Sequence, residues 1–165
     1  MADEYDIEEL VTIYNQGRTT PQNHWLIPLA RPTAKSIQTV NERFNFELPE
    51  SFIYFSQHCM SNDLCLSIGE DYDSPFHIFS VNGRLRKLRR RTIGARGKWE
   101  YVFPRNFVAL TTWCDDDWNC FDLNTKDERS GEYEVVHWAT QRYLGKTQAS
   151  FPNFLASTLK FWKMM

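Results

Sequence analysis

Asp115, Asp116 and Asp117 stand in a row between Trp113-Cys114 and Trp118, and no other grouping in the chain comes closer to a chemistry. Carboxylates at this density suggest a divalent cation. Three consecutive side chains in one turn cannot all converge on one ion, however, and no calcium-loop spacing follows them. No metal and no cofactor is therefore expected. Asp is a good turn former, and like charges in a turn repel one another into water. With Trp113 and Trp118 on either side, the composition suits a protein contact, where aromatic anchors sit beside charged groups, and suits nucleic acid poorly. Glu70, Asp71 and Asp73, in the Gly69 to Pro75 turn, are candidates to extend the same surface.

The remaining reactive residues are scattered. His24, His58, His77 and His137 lie far apart in the chain. His58 and Cys59 are neighbours, but adjacent positions on a helix point away from each other. His137, between Val136 and Trp138, should face the opposite side of a strand from both, on the exposed side of a sheet and without an evident partner. Cys59 and Cys65, like Cys114 and Cys120, have five residues between them, unlike the ligand spacing of a zinc site. They read as reduced, mostly buried thiols. No nucleophile elbow, phosphate-binding loop, dinucleotide fingerprint or zinc-protease helix occurs. No catalytic residue is assigned, and an enzyme is not expected.

Helical periodicity must supply most of the scaffold. Ile7, Leu10, Val11 and Tyr14 share one face of a first helix whose opening turns are acidic. Pro21, Pro28 and Pro32 break the chain, and Thr33 can cap a second helix carrying Ile37, Val40 and Phe44. Leu48-Pro49 restarts a third, lined by Phe52, Phe55 and Cys59. Alternation at Leu64, Leu66 and Ile68, and around His77-Ile78-Phe79, predicts two strands joined by a turn. Trp99 to Phe103, Phe107 to Thr112, Trp118 to Leu123 and Val135 to Ala139 read as further strands. Phe151, Phe154, Leu155, Thr158, Leu159 and Trp162 close the chain on one helix face. The expected fold class is α+β: an antiparallel-dominated sheet of about five or six strands, helices packed on one side, and a C-terminal helix.

At 165 residues, with 42% hydrophobic and 24% charged, the chain fits one soluble domain able to bury about 70% of its unfolded surface. The N-terminus, Met-Ala-Asp-Glu-Tyr-Asp, is acidic where a secretory signal is basic, and no run of about 18 apolar residues occurs. A cytoplasmic protein without membrane contact is expected. Charge is segregated: eight basic and no acidic residues lie between Arg84 and Lys98, and eight acidic against two basic between Asp115 and Glu134. The basic block holds a second candidate patch, Arg84, Arg86, Lys87, Arg89, Arg90 and Arg91. Its first turn is ambiguous: Leu85 and Leu88 could anchor it as a helix, and Gly94 and Gly97 suggest a loop after it. Trp99 and Tyr101 beside it admit nucleic-acid binding, against which stands a pI near 6.1.

Several pieces, in this order, resemble the SUKH superfamily of bacterial immunity proteins and fungal Smi/Knr-type regulators. They are the helix leading to Leu48-Pro-Glu-Ser-Phe52-Ile-Tyr-Phe55, Phe107-Val-Ala-Leu110, the acidic turn, Cys120-Phe-Asp-Leu123, Glu134-Val-Val-His-Trp138 and Ser150-Phe-Pro-Asn-Phe-Leu155. The likeness runs from about Thr33 to the end, so residues 1–165 form one domain in which 1–32 are an N-terminal helix and loop extension. It implies a non-enzymatic domain that binds a cognate toxin, often a nuclease used in competition between bacteria, and blocks its active site. An intracellular scaffold or regulator, and a nucleic-acid-binding module using the Arg84 to Lys98 arm, are the alternatives. The toxin is the expected partner.

Overall fold

The computed structural model describes residues 5–18, 30–60, 64–87, 89–94, 97–111, 117–139 and 142–165. Their elements are α1 (Ile7–Arg18), α2 (Ala34–Phe44), α3 (Glu50–His58), α4 (Ile78–Lys87), β1 (Arg89–Gly94), β2 (Gly97–Val102), β3 (Phe107–Ala109), β4 (Asp117–Asp122), β5 (Val135–Ala139), β6 (Arg142–Gln148) and α5 (Phe151–Phe161). This is a mixed α+β fold. The six strands do not form one sheet: β3-β4-β5-β6 make a four-stranded antiparallel sheet, and β1 with β2 make a separate hairpin. The expected sheet of five or six strands is corrected accordingly.

Four helices follow the sequence pattern. Thr33 caps α2 through a box in which its hydroxyl accepts from Ser36 N–H and Ser36 Oγ accepts from Thr33 N–H. Asn45, in the left-handed region at φ 53°, ends that helix, a conformation that asparagine tolerates. Pro49 precedes α3 as its cap rather than entering the first turn. Ser150 Oγ caps α5 by accepting from Asn153 N–H.

α1 belongs to the core. Leu10, Val11 and Tyr14 are buried, and the Tyr14 ring meets Phe55 edge-on at 5.1 Å. Asn15 closes the end of α3: its Nδ2 donates to His58 O at 3.1 Å and its Oδ1 accepts from Met60 N–H at 2.8 Å.

At the centre, Phe52 of α3 lies edge-on to both Phe121 of β4 at 5.4 Å and Phe151 of α5 at 5.1 Å. Such pairs add about 0.5–1.5 kcal/mol each to the burial of the rings. Phe121 and Cys120 are both fully buried although neighbours on a strand face opposite ways, so both faces of the sheet are covered there. The expectation of helices on a single side therefore describes only one face at this point.

One helix is new. Ile78 and Phe79, expected in a strand, begin α4 instead, with His77 just before it, and Leu64–Ile68 runs as irregular buried chain touching its neighbours through single bridges, Cys65 to Thr111 and Ser67 to His77. The start of α4 is set by His77, whose Nδ1 accepts from Phe79 N–H at 3.1 Å while its Nε2–H donates to Gly69 O at 3.1 Å. Burial holds this imidazole below its ordinary pKa, which fits a neutral ring with one donor and one acceptor. Asn82 of α4 closes the free edge of β3: its Oδ1 accepts from Ala109 N–H at 2.8 Å and its Nδ2 donates to Ala109 O at 3.0 Å. An edge strand left open would offer these groups to another chain.

Candidate functional site

The described residues on either side of the acidic run are joined by hydrogen bonds. Where β3 ends, Leu110 N–H donates to Asn119 O at 2.9 Å, and the buried Thr111 hydroxyl accepts from Asn119 N–H at 3.0 Å. Leu66 N–H adds a bond to Leu110 O at 2.8 Å from the other side. Trp113, Asp115 and Asp116 lie outside the described residues; Asp117 and Trp118 begin β4.

β4 then sorts its side chains by parity. Trp118 sits opposite Trp138 of β5 and is buried, and Trp138 in turn meets Phe103 edge-on at 5.1 Å. Trp118 is therefore part of the sheet's buried face and does not present an exposed ring. On the other face Asn119 sits opposite His137, and Asp117 opposite Ala139. Asp117 Oδ1 lies 3.8 Å from His137 Nε2, with the side chains 47% and 34% exposed. His137 thus has the partner that sequence reasoning denied it. Asp117, Asn119 and His137 form a half-exposed polar strip leading out of the turn. Only the cross-strand register reveals this strip.

The second acidic group is less uniform than its composition. Glu70 is exposed and accepts from the Thr33 hydroxyl at 3.0 Å, Asp71 is held inward by Ser67 Oγ at 2.6 Å, and Asp73 is exposed. Residues 65–67 connect this loop with the stem, because Cys65 pairs with Thr111 and Ser67 with His77.

The long acidic stretch is also divided. Asp122 accepts from Asn106 Nδ2 at 2.7 Å and from Asn124 N–H at 3.0 Å. Asp127 builds the turn before β5 by accepting from Arg129 N–H and Ser130 Oγ, both at 3.0 Å, bonds that hold its carboxyl below the usual range. Glu132 is buried, accepting from Ser51 Oγ and from Phe151 N–H. It joins the first turns of α3 and α5, where the positive ends of two helix dipoles suit a carboxylate. These three belong to the fold, not to a contact face, a difference that residue type alone does not reveal.

Arg84, Arg86 and Lys87 are exposed on the last turns of α4, with Arg84 Nη2 donating to Pro75 O at 3.3 Å. Leu85 is buried as expected, and Leu88 lies outside the described residues. Arg89, Arg90 and Arg91 open β1 in register with Val102, Tyr101 and Glu100. Gly94 and Gly97, expected in a loop, are the last paired residues of the hairpin.

Cys59, Cys65 and Cys120 are buried. Burial pushes the Cys59 thiol up to about 11 and raises that of Cys120 well above its ordinary value, so neither supplies a thiolate at neutral pH. Among the described residues no group of three or more His, Cys, Asp or Glu side chains could hold a metal ion, and no helix is long and apolar enough to cross a membrane.

The sequence profile of the SMI1 / KNR4 family (SUKH-1) matches residues 31–157. No curated protein matches the chain significantly. Among solved structures, the crystal structure of a protein from Pseudomonas syringae pv. tomato superposes with a TM-score of 0.54 at 14% identity, covering 90% of this chain and 92% of that one. At that identity the likeness is one of fold. α1 lies before the matched residues yet packs into the same core.

Proposed function

The chain belongs to the SMI1 / KNR4 family (SUKH-1), and from that membership we propose that it is an immunity protein that binds a cognate bacterial toxin and occludes its active site. The toxin, a nuclease in the simplest version of this reading, belongs to a polymorphic toxin system used in competition between bacteria, and the immunity protein acts in the cytoplasm of the cell it protects. No catalysis by this chain is required.

The observation that carries the choice of surface is the polar strip Asp117, Asn119 and His137, half-exposed on a stem whose other face is buried. Hydrogen bonds that hold the stem at Leu110, Thr111 and Asn119 lower the ordering cost of binding, because less conformational freedom is lost on contact. Asp115 and Asp116 precede the strip, and Glu70 and Asp73 add exposed carboxylates on the loop before α4. A nuclease must attract phosphate and so carries basic residues around its substrate channel. An acidic surface is complementary to such a channel, speeds capture and sets orientation.

Replacing Asp115, Asp116 and Asp117 together with Ser tests this. Association with the toxin domain that this chain protects against in co-expression, followed by stopped flow at rising salt, should slow about 10-fold or more and lose most of its salt dependence. An unchanged rate and salt slope would remove the acidic turn from the interface.

A further inference from the structure

We propose that the face of α4 bearing Phe79, Gly83 and Arg86, together with Arg43, Phe44 and Phe46 at the end of α2, docks an acidic segment of a partner protein. Phe79, Gly83 and Arg86 are spaced by four and three, which places them along one side of α4, next to the side that buries Ile78, Val81, Asn82 and Leu85. The two helices exchange cations: the Arg86 guanidinium lies 5.7 Å from the centre of the Phe44 ring, and the Arg43 guanidinium 5.8 Å from that of Phe79. The two rings are themselves 5.6 Å apart, and Phe46 meets Phe44 edge-on at 6.1 Å. All three rings are only half-buried, and both arginines are exposed.

Two features point outward to a partner. Neither Arg43 nor Arg86 has a carboxylate in ion-pair range among the described residues, so each guanidinium is oriented by a ring while its N–H donors remain available. A planar fork fixed in this way is suited to bidentate capture of a carboxylate. The second feature is Gly83. Glycine inside a helix weakens it relative to alanine, and here a Cβ would meet nothing within 4 Å. The fold itself gives no reason for the missing side chain. The gap between Phe79 and Arg86 admits close approach of another backbone or a small apolar side chain.

The charge selects the occupant. Lys87 extends the positive edge at the end of the same helix, and the run from Arg84 to Lys98 contains no acidic residue. Phosphate polymers fit less well than carboxylates, because the ring of Phe79 is already engaged by Arg43 and by Tyr72 at 5.9 Å, leaving little free surface for stacked bases. This surface shares no residue with the acidic run of Asp115 to Asp117, and the inference does not depend on the toxin reading.

The test is an amide-resolved NMR titration of the full chain with three probes of equal length: a Glu/Asp peptide carrying one Leu and one Phe, its Lys-for-acid counterpart, and a single-stranded RNA. The acidic peptide should shift the amides of residues 79–87 and 43–46, and its affinity should fall about 10-fold or more in both Gly83→Leu and Arg43→Glu/Arg86→Glu. Gly83→Leu should melt no lower than the parent chain, since its side chain enters open space. The inference is overturned if the acidic peptide leaves these amides unmoved, if the RNA binds there more tightly, or if Gly83→Leu binds the peptide as the parent chain does.

Discussion

Glu132 and Asp117 come from the same acidic stretch and are used in opposite ways. Glu132 is buried where α3, α5 and the loop before β5 meet, and its oxygens accept from Ser51 and Phe151. Asp117 stands half-exposed at the start of β4, 3.8 Å from His137. A carboxylate taken out of water must be fully satisfied by its surroundings, whereas one left in water retains its long-range field. The first region holds the fold together and the second is available to meet a partner, so mutations should divide into those that cost stability and those that cost recognition.

The largest effect that would sharpen this division is expected at the aromatic centre. Phe52→Ala removes a ring packed edge-on to Phe121 and Phe151 and should cost about 3–5 kcal/mol in urea denaturation. Next comes Glu132→Ala, which leaves a buried hydroxyl and a helix N–H without their acceptor and should cost about 1–3 kcal/mol. A change below about 0.5 kcal/mol would place Glu132 among the dispensable surface charges and break the comparison.

His77 provides a smaller, pH-dependent test. Its folded-state pKa lies below the ordinary value near 6.5, so the unfolded chain takes up the proton first. Its contribution is fully present above about pH 6.5 and is lost as pH falls below that value towards the folded pKa, at no more than about 1.4 kcal/mol per pH unit. Denaturation midpoints measured from pH 7.5 down to 5.5 should show this decline, and His77→Gln should flatten it. The smallest effect is expected at the rim: Asp117→Asn should alter stability by less than about 0.5 kcal/mol while slowing toxin capture. A large loss of stability there would mean that the strip is structural.

The parts of the fold that could be read from sequence are those governed by local rules. α1, α2, α3 and α5 declare themselves through 3.6-residue spacing, and α2 also through Thr33 as its cap. α4 does not, because its N-terminus is capped by an imidazole, and three alternating residues around Ile78 mimic a strand. β6 was also hidden: Gly145 interrupts it, and its register with β5 slips in two places. The aspartates of the candidate surface are visible in sequence, but the pairing of Asp117 with His137 depends on strand register, and the burial of Glu132 on the meeting of two helices. The reciprocal stacking of Arg43 and Arg86 likewise joins residues of α2 and α4 that are far apart in the chain.

The most direct measurement begins with the genes beside this one: where one of them encodes a secreted protein with a C-terminal toxin domain, survival of a sensitive bacterial host expressing that domain is compared with and without this chain. Co-expression should restore growth, and the Asp115→Ser/Asp116→Ser/Asp117→Ser variant, folded and equally abundant, should restore it poorly. Cells that die equally with and without the parent chain would contradict the immunity reading.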